Sequence, residues 1–180
     1  NQGLSADATV FYKWLDNLIV SNPSFTSLDD PYFFNEGNGR VYGAEILIRR
    51  APIGRFFGWI SYTLSRSERN DYPDTNGEDG WYIYDIDQTH ILVLTAGYKL
   101  PYDFELSGRF TYVTGNPYTP YAGGVYDIDQ DFYYGYQTAS RNSARLPPYI
   151  AADFRASKLL TFKFWQLELY VDVLNAIRGV

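Results

Sequence analysis

Apolar and polar residues alternate with a period of two along most of this chain, in about seven runs. Leu4, Ala6, Ala8, Val10 and Tyr12 alternate with Ser5, Asp7, Thr9 and Lys13. Tyr42, Ala44, Ile46 and Ile48 alternate with Gly43, Glu45 and Arg49. Ile60, Tyr62 and Leu64 stand against Ser61, Thr63 and Ser65. The run from His90 to Leu100 is weaker, with apolar residues on both faces. The cleanest sets Phe104, Leu106, Gly108, Phe110 and Tyr112 against Glu105, Ser107, Arg109 and Thr111. Ile150, Ala152, Phe154 and Ala156 then oppose Asp153, Arg155 and Ser157. Finally Leu167, Leu169, Val171 and Val173 oppose Gln166, Glu168, Tyr170 and Asp172. Successive side chains of a strand point to opposite faces, so each run predicts a strand with one apolar and one polar face.

The runs outlast the usual soluble strand of about 5–6 residues. They suit a tilted strand crossing a bilayer, which needs about 9–11. Their polar positions mix Ser, Thr, Asp, Glu and Arg, as a wet, hydrogen-bonded barrel lumen would. The connections alternate short and long. Short ones are Ala51-Pro52-Ile53-Gly54, Pro101-Tyr102-Asp103 and Thr161-Phe162-Lys163; long ones cover residues 17 to 40, 66 to 87 and 114 to 148. Tight periplasmic turns with large extracellular loops are the signature of an outer-membrane meander. The expected fold is therefore all-β: an antiparallel transmembrane β-barrel segment of about seven long strands, one domain over residues 1–180.

Composition sharpens this. Aromatics make up 19% of the chain, with 18 Tyr and 12 Phe, yet the mean hydropathy is −0.31. A protein showing lipid one face and water the other needs this combination, and no apolar run reaches the roughly 18 residues of a membrane helix. Tyr12, Trp14, Phe56, Phe57, Trp59, Tyr98, Tyr102, Phe104, Tyr112, Phe162, Phe164 and Trp165 lie near predicted strand ends, where interfacial girdles are expected. The net charge of −6 and the lack of a basic stripe argue against nucleic acid as a partner. Without Cys there is no disulfide or thiolate chemistry, and no cofactor is implied. The single His90 has no nucleophile beside it and reads as an interfacial polar aromatic, so no catalytic residue is expected and the chain is not read as an enzyme.

Three groups are candidates for function. Tyr118, Tyr121, Tyr126, Tyr133 and Tyr134 crowd one long loop among glycines, as ligand contacts or as packing over the barrel mouth. Asp127, Asp129 and Asp131 form a D-x-D-x-D spacing that hints at calcium, without the Gly and terminal Glu of an EF-hand. The segment Tyr84-Asp85-Ile86-Asp87-Gln88 recurs as Tyr126-Asp127-Ile128-Asp129-Gln130. Glu105, Arg109, Asp153, Arg155, Glu168 and Asp172 fall on the predicted lumen face, where cross-strand charge pairs would pin register.

Several segments also carry a resemblance. They are Asp87-Gln88-Thr89-His90 leading into a strand, Gly115-Asn116-Pro117-Tyr118-Thr119-Pro120 opening a long loop, and Arg145-Leu146-Pro147-Pro148-Tyr149 followed by Asp153, Arg155 and Lys158. With Tyr170-Val171-Asp172-Val173-Leu174-Asn175, their order resembles the closing strands of TonB-dependent outer-membrane receptors, and Gly37-Asn38-Gly39, with Gly43-Ala44-Glu45 after it, is similar to that family's strand that follows a large loop. The resemblance implies a place in the bacterial outer membrane, among its lipid and lipopolysaccharide. It also implies import of a scarce nutrient such as a ferric siderophore or cobalamin. Energy would come from TonB through a plug that lies outside this chain. The alternative is a receptor-like barrel serving as scaffold or subunit of a larger outer-membrane complex without transport. An odd number of strands does not close an ordinary bacterial barrel, so the expectation is a portion completed by other segments or other chains.

Overall fold

A computed structural model describes residues 3–22, 24–72, 80–137 and 140–177. The strands are β1 (Leu4–Ser21), β2 (Phe33–Arg50), β3 (Phe56–Asn70), β4 (Tyr82–Ile83), β5 (His90–Lys99), β6 (Phe104–Val113), β7 (Pro117–Tyr118), β8 (Gly123–Asp127), β9 (Phe132–Tyr136), β10 (Ala144–Arg145), β11 (Tyr149–Thr161) and β12 (Gln166–Val173). Seven long strands form one antiparallel sheet in the order β1-β2-β3-β5-β6-β11-β12, with β4 added beside β3. All seven alternating runs of the sequence are strands of this sheet. β1 and β12 are its edges, so the barrel is not closed by these residues.

Direct cross-strand partners share a face, so the register sorts the side chains. One row reads Ala6, Ile48, Ile60, Leu94, Phe110, Ala152 across six strands. The row beside it on the other face reads Ser5, Arg49, Trp59, Thr95, Arg109, Asp153. The apolar face stays uncovered by protein: Val10 is 84% exposed, and Ile46, Ile60 and Leu64 are exposed too. Among the described residues the only buried apolar side chains are Val20, Pro117, Ala151 and Ala152. A sheet with so little core buries its apolar face against something else, and the continuous apolar band fits hydrocarbon.

Aromatic and basic side chains bound that band at both ends. Towards the long loops, Tyr12 stacks with Tyr42 at 6.3 Å, and Tyr62 stacks with His90, whose Nδ1 lies 2.8 Å from the Tyr62 hydroxyl. Towards the short turns, Phe162 stacks on Trp165 at 4.1 Å, while Arg50 and Lys158 extend over the rings of Phe56 and Phe104. Such amphipathic side chains belong at headgroup level.

Three features depart from expectation. First, β1 and β2 each run 18 residues, so the first long connection shrinks to residues 22–32. Eighteen residues span roughly 60 Å, twice the hydrocarbon thickness of about 30 Å, and the excess projects outward as a paired ribbon. Alternation fails there because no lipid demands an apolar face. A bulge absorbs the break: Asn17 takes φ 56° and the register shifts on either side of Leu18. Second, the loop of residues 114 to 148 is not structureless; it holds a β8–β9 hairpin and a β7–β10 bridge. Third, Phe57 and Trp59 leave the girdle for the polar face. There Phe57 lies across Gly97, its direct partner, where an added Cβ would stand 2.2 Å from the ring. The ring fills the place of the missing side chain, a pairing that repairs a glycine within a sheet.

Candidate functional site: a clasped outer rim

The three loop motifs of the long-loop end meet in space. Asp87 is 2% exposed, and Arg145 donates to its carboxylate at 2.6 Å. The same carboxylate accepts from the Ser67 amide at 2.6 Å and the Thr89 hydroxyl at 2.8 Å. Arg145 also donates to the carbonyl oxygens of Asp87 and Gly115, both at 3.0 Å. Beside it the Leu146 amide donates to the Asn116 carbonyl. Gly115 is obligatory in this packing, since a Cβ would lie 1.9 Å from the Leu146 carbonyl oxygen. Segments 87–90, 115–117 and 145–146 thus form one clasp, in which a buried charge is both paired and fully hydrogen-bonded.

A second polar layer continues the clasp outward. Asn142, itself buried, donates through its side-chain amide to the Ile83 carbonyl at 2.6 Å and to Asp85, while its backbone amide donates to the Thr119 hydroxyl. Asp71 accepts from Arg141 and from the Tyr82 hydroxyl, each at 2.7 Å, and the Arg141 guanidinium lies 3.8 Å from the centre of the Tyr82 ring. Burial first, and then the hydrogen bond to Asp71, push the Tyr82 hydroxyl well above the ordinary tyrosine range. On β3, burial works against the charge of Glu68, but hydrogen bonds from Arg66 and Arg40 outweigh it and hold its pKa below the usual value.

The candidate tyrosines separate. Tyr118 lies in β7, paired with Ala144, at the clasp. Tyr126 and Tyr133 are direct partners in the β8–β9 hairpin, with rings 4.9 Å apart. Tyr121 lies over Gly135 on that same face, which Gly124 also shares. Tyr134 points to the opposite face, partnered with Val125 and in contact with Phe132 at 5.1 Å. Tyr121 and Tyr133 are 70% and 69% exposed. One face of the hairpin is therefore an open platform of three rings around two glycines.

Asp127, Asp129 and Asp131 do not converge. Asp127 accepts from the amides of Asp129 and Gln130, closing the turn, and Asp131 accepts from the Tyr126 hydroxyl. That hydrogen bond, ahead of burial, raises the Tyr126 pKa. Among the described residues no three His, Cys, Asp or Glu side chains are grouped to hold a metal. The two copies of the repeated segment do different work. In the first, Asp85 and Asp87 are clamped by Asn142 and Arg145; in the second, Asp127 shapes an exposed turn.

The six charged residues assigned to the lumen share one face of the sheet. Arg109 is directly opposite Asp153 at 3.7 Å; Arg155 reaches Asp172 at 3.6 Å and Glu168 at 3.3 Å, and its guanidinium covers the Tyr170 ring. Glu105 stands opposite Lys99 and Ser157. The pairs are half-exposed, so each adds little stability. Sequence reasoning passed over Arg145, Asp87 and Asn142 as interacting residues. Their only signal was that Asp87 and Arg145 each belonged to a quoted motif.

A long-stranded antiparallel sheet, apolar on one face and charged on the other, with tight turns at one end and structured loops at the other, defines an outer-membrane-type β-barrel wall. The chain belongs to the TonB dependent receptor-like, beta-barrel family, whose model matches residues 1–176. That is a family of outer-membrane transporters rather than of enzymes. Neither curated proteins nor solved structures yield a match.

Proposed function

We propose that this chain supplies barrel wall and extracellular loops to a receptor that imports a scarce nutrient across the outer membrane, with energy from TonB. A ferric siderophore or cobalamin is the substrate class the family resemblance implies. The observation that carries the reading is the exposed platform of Tyr121, Tyr126 and Tyr133. Aromatic faces of this kind bind rings and apolar edges and cost little conformational entropy. The clasp fixes the chain on either side of the hairpin, at Pro117, Tyr118 and Thr119 before it and at Asn142, Ala144 and Arg145 after it.

Uptake of candidate nutrients by cells carrying the protein tests this. Replacing Tyr126 and Tyr133 together by Ala should lower uptake about tenfold or more, as loss of two aromatic contacts would. Tyr134→Ala should have a smaller effect, because that ring faces away. Unchanged uptake in the double variant would remove the platform from the transport path and favour a scaffold without transport.

A further inference from the structure

Just outside the apolar band, the lipid-side face of β1, β2 and β3 changes character over two rows. The last apolar row reads Val10, Ala44, Leu64. Next comes Tyr12, Tyr42, Arg66, and then Trp14, Arg40, Glu68, Ile83. Two arginines thus stand on the outward face, at the level where lipid headgroups begin.

Their geometry is unusual for a plain ion pair. Glu68, buried, receives the Nε of Arg40 at 2.6 Å on one carboxylate oxygen and the Nε of Arg66 at 2.9 Å on the other. One negative charge is shared by two positive ones. Each arginine spends only its Nε on the pair, and among the described residues no hydrogen bond engages the terminal nitrogens of either. The Arg40 guanidinium is held 4.3 Å from the Trp81 ring centre, and Trp81 packs edge-on against Trp14 at 5.6 Å. The guanidinium planes are fixed, half-exposed and carry net charge +1, with forked N–H donors left for an anion.

The geometry points to a binding site for the phosphate group of an outer-leaflet glycolipid, with Arg40 and Arg66 as its donors and Glu68 as the residue that positions them. Planar guanidinium forks match phosphate oxygens. Tyr12 and Tyr42 in the row of Arg66, and Trp14 in the row of Arg40, offer apolar surface beside the guanidinium groups at headgroup depth. The site lies outside the tyrosine platform. It rests on the chain standing in the outer membrane, and not on any imported nutrient.

The test uses the protein as its host makes it, extracted from outer membranes into detergent, with native mass spectrometry as the readout. The probes are lipid A bearing phosphate, dephosphorylated lipid A and inorganic phosphate. Phosphorylated lipid A should be retained, and Arg40→Gln and Arg66→Gln should each weaken it about tenfold, the size of one charge-assisted hydrogen bond. Glu68→Asp keeps the charge but draws the carboxylate back from both guanidinium groups, so it should also weaken retention, and a wild-type response there would contradict the positioning role. Equal retention of dephosphorylated lipid, or no change in both arginine variants, would overturn the site. Inorganic phosphate displacing lipid A at equal concentration would also overturn it, since the anion would then be a soluble one. Nutrient uptake measured on the same variants separates this failure from that of the transport reading, because only the tyrosine variants should change uptake.

Discussion

Arg145 and Asp87 are 58 positions apart, yet their side chains meet at 2.6 Å with the carboxylate out of contact with water. This pair ties the loop before β5 to the strap that enters β11. Removing Arg145 leaves Asp87 as an uncompensated buried charge. Arg145→Ala should therefore destabilise the rim by about 3 kcal/mol, at the low end for breaking a buried pair because Arg145 is partly exposed. Asp87→Asn should cost less, since it strands no carboxylate, but not nothing, because both carboxylate oxygens accept and an amide NH2 would face a donor on one side. Hydrogen exchange at the Ser67 and Leu146 amides is the readout, and wild-type protection in Arg145→Ala would disprove the role of the clasp.

Gly97 and Phe57 make a similar point inside the sheet. Gly97→Ala puts a methyl into the Phe57 ring, and overpacking of this kind costs about 1–3 kcal/mol. Phe57→Leu in the Gly97→Ala background should recover part of the loss. Urea unfolding of the four variants measures the coupling; additive effects would mean the ring is not the obstacle.

The rim also has a pH window. Glu68 has its pKa depressed in the fold, so its contribution is present above the unfolded carboxylate range of about 4.3 and is lost as pH falls through the lower folded value. Tyr82 has its pKa raised, so its contribution holds below the unfolded value of about 10 and disappears as pH climbs through the higher folded one. Protease resistance of the loops should be level between these limits and fall outside both. A drop near neutral pH would mean that other groups control the rim.

Face assignment predicts an asymmetry between neighbours. Leu94→Arg places a charge in mid-band on the lipid side and should cost about 2–4 kcal/mol of folding into vesicles. Thr95→Arg, one residue on, faces Arg109 and Trp59 across the polar side and should cost far less. Equal costs would contradict the two-faced sheet.

Much of the wall was legible in the sequence because lipid enforces alternation. Leu106, Phe110 and Phe154 must be apolar, and the pattern stays clean wherever that demand acts. The weak run reflects two apolar side chains on the other face, Val93 between Ser61 and Thr111 and Ile91 between Thr63 and Val113, where hydroxyl neighbours and no lipid leave the choice of residue free. Beyond the bilayer the demand vanishes. The continuation of β1 past Asn17 and the β8–β9 hairpin therefore carried no readable period. The clasp was illegible for another reason: Asp87 and Arg145 meet only through tertiary structure, and spacing along the chain does not encode such pairs. The acidic turn misled in the opposite way, because D-x-D spacing serves an Asx-type turn at Asp127 as readily as a cation.

The most direct measurement exploits the lack of cysteine in the chain. Single cysteines at positions 60, 61, 62, 63, 94 and 95, each carrying a spin label in the membrane-embedded protein, can be probed with oxygen and with a water-soluble nickel complex. The two-faced wall predicts oxygen-accessible labels at Ile60, Tyr62 and Leu94, and nickel-accessible labels at Ser61, Thr63 and Thr95. The same accessibility at neighbouring positions, or the reverse assignment, would contradict it.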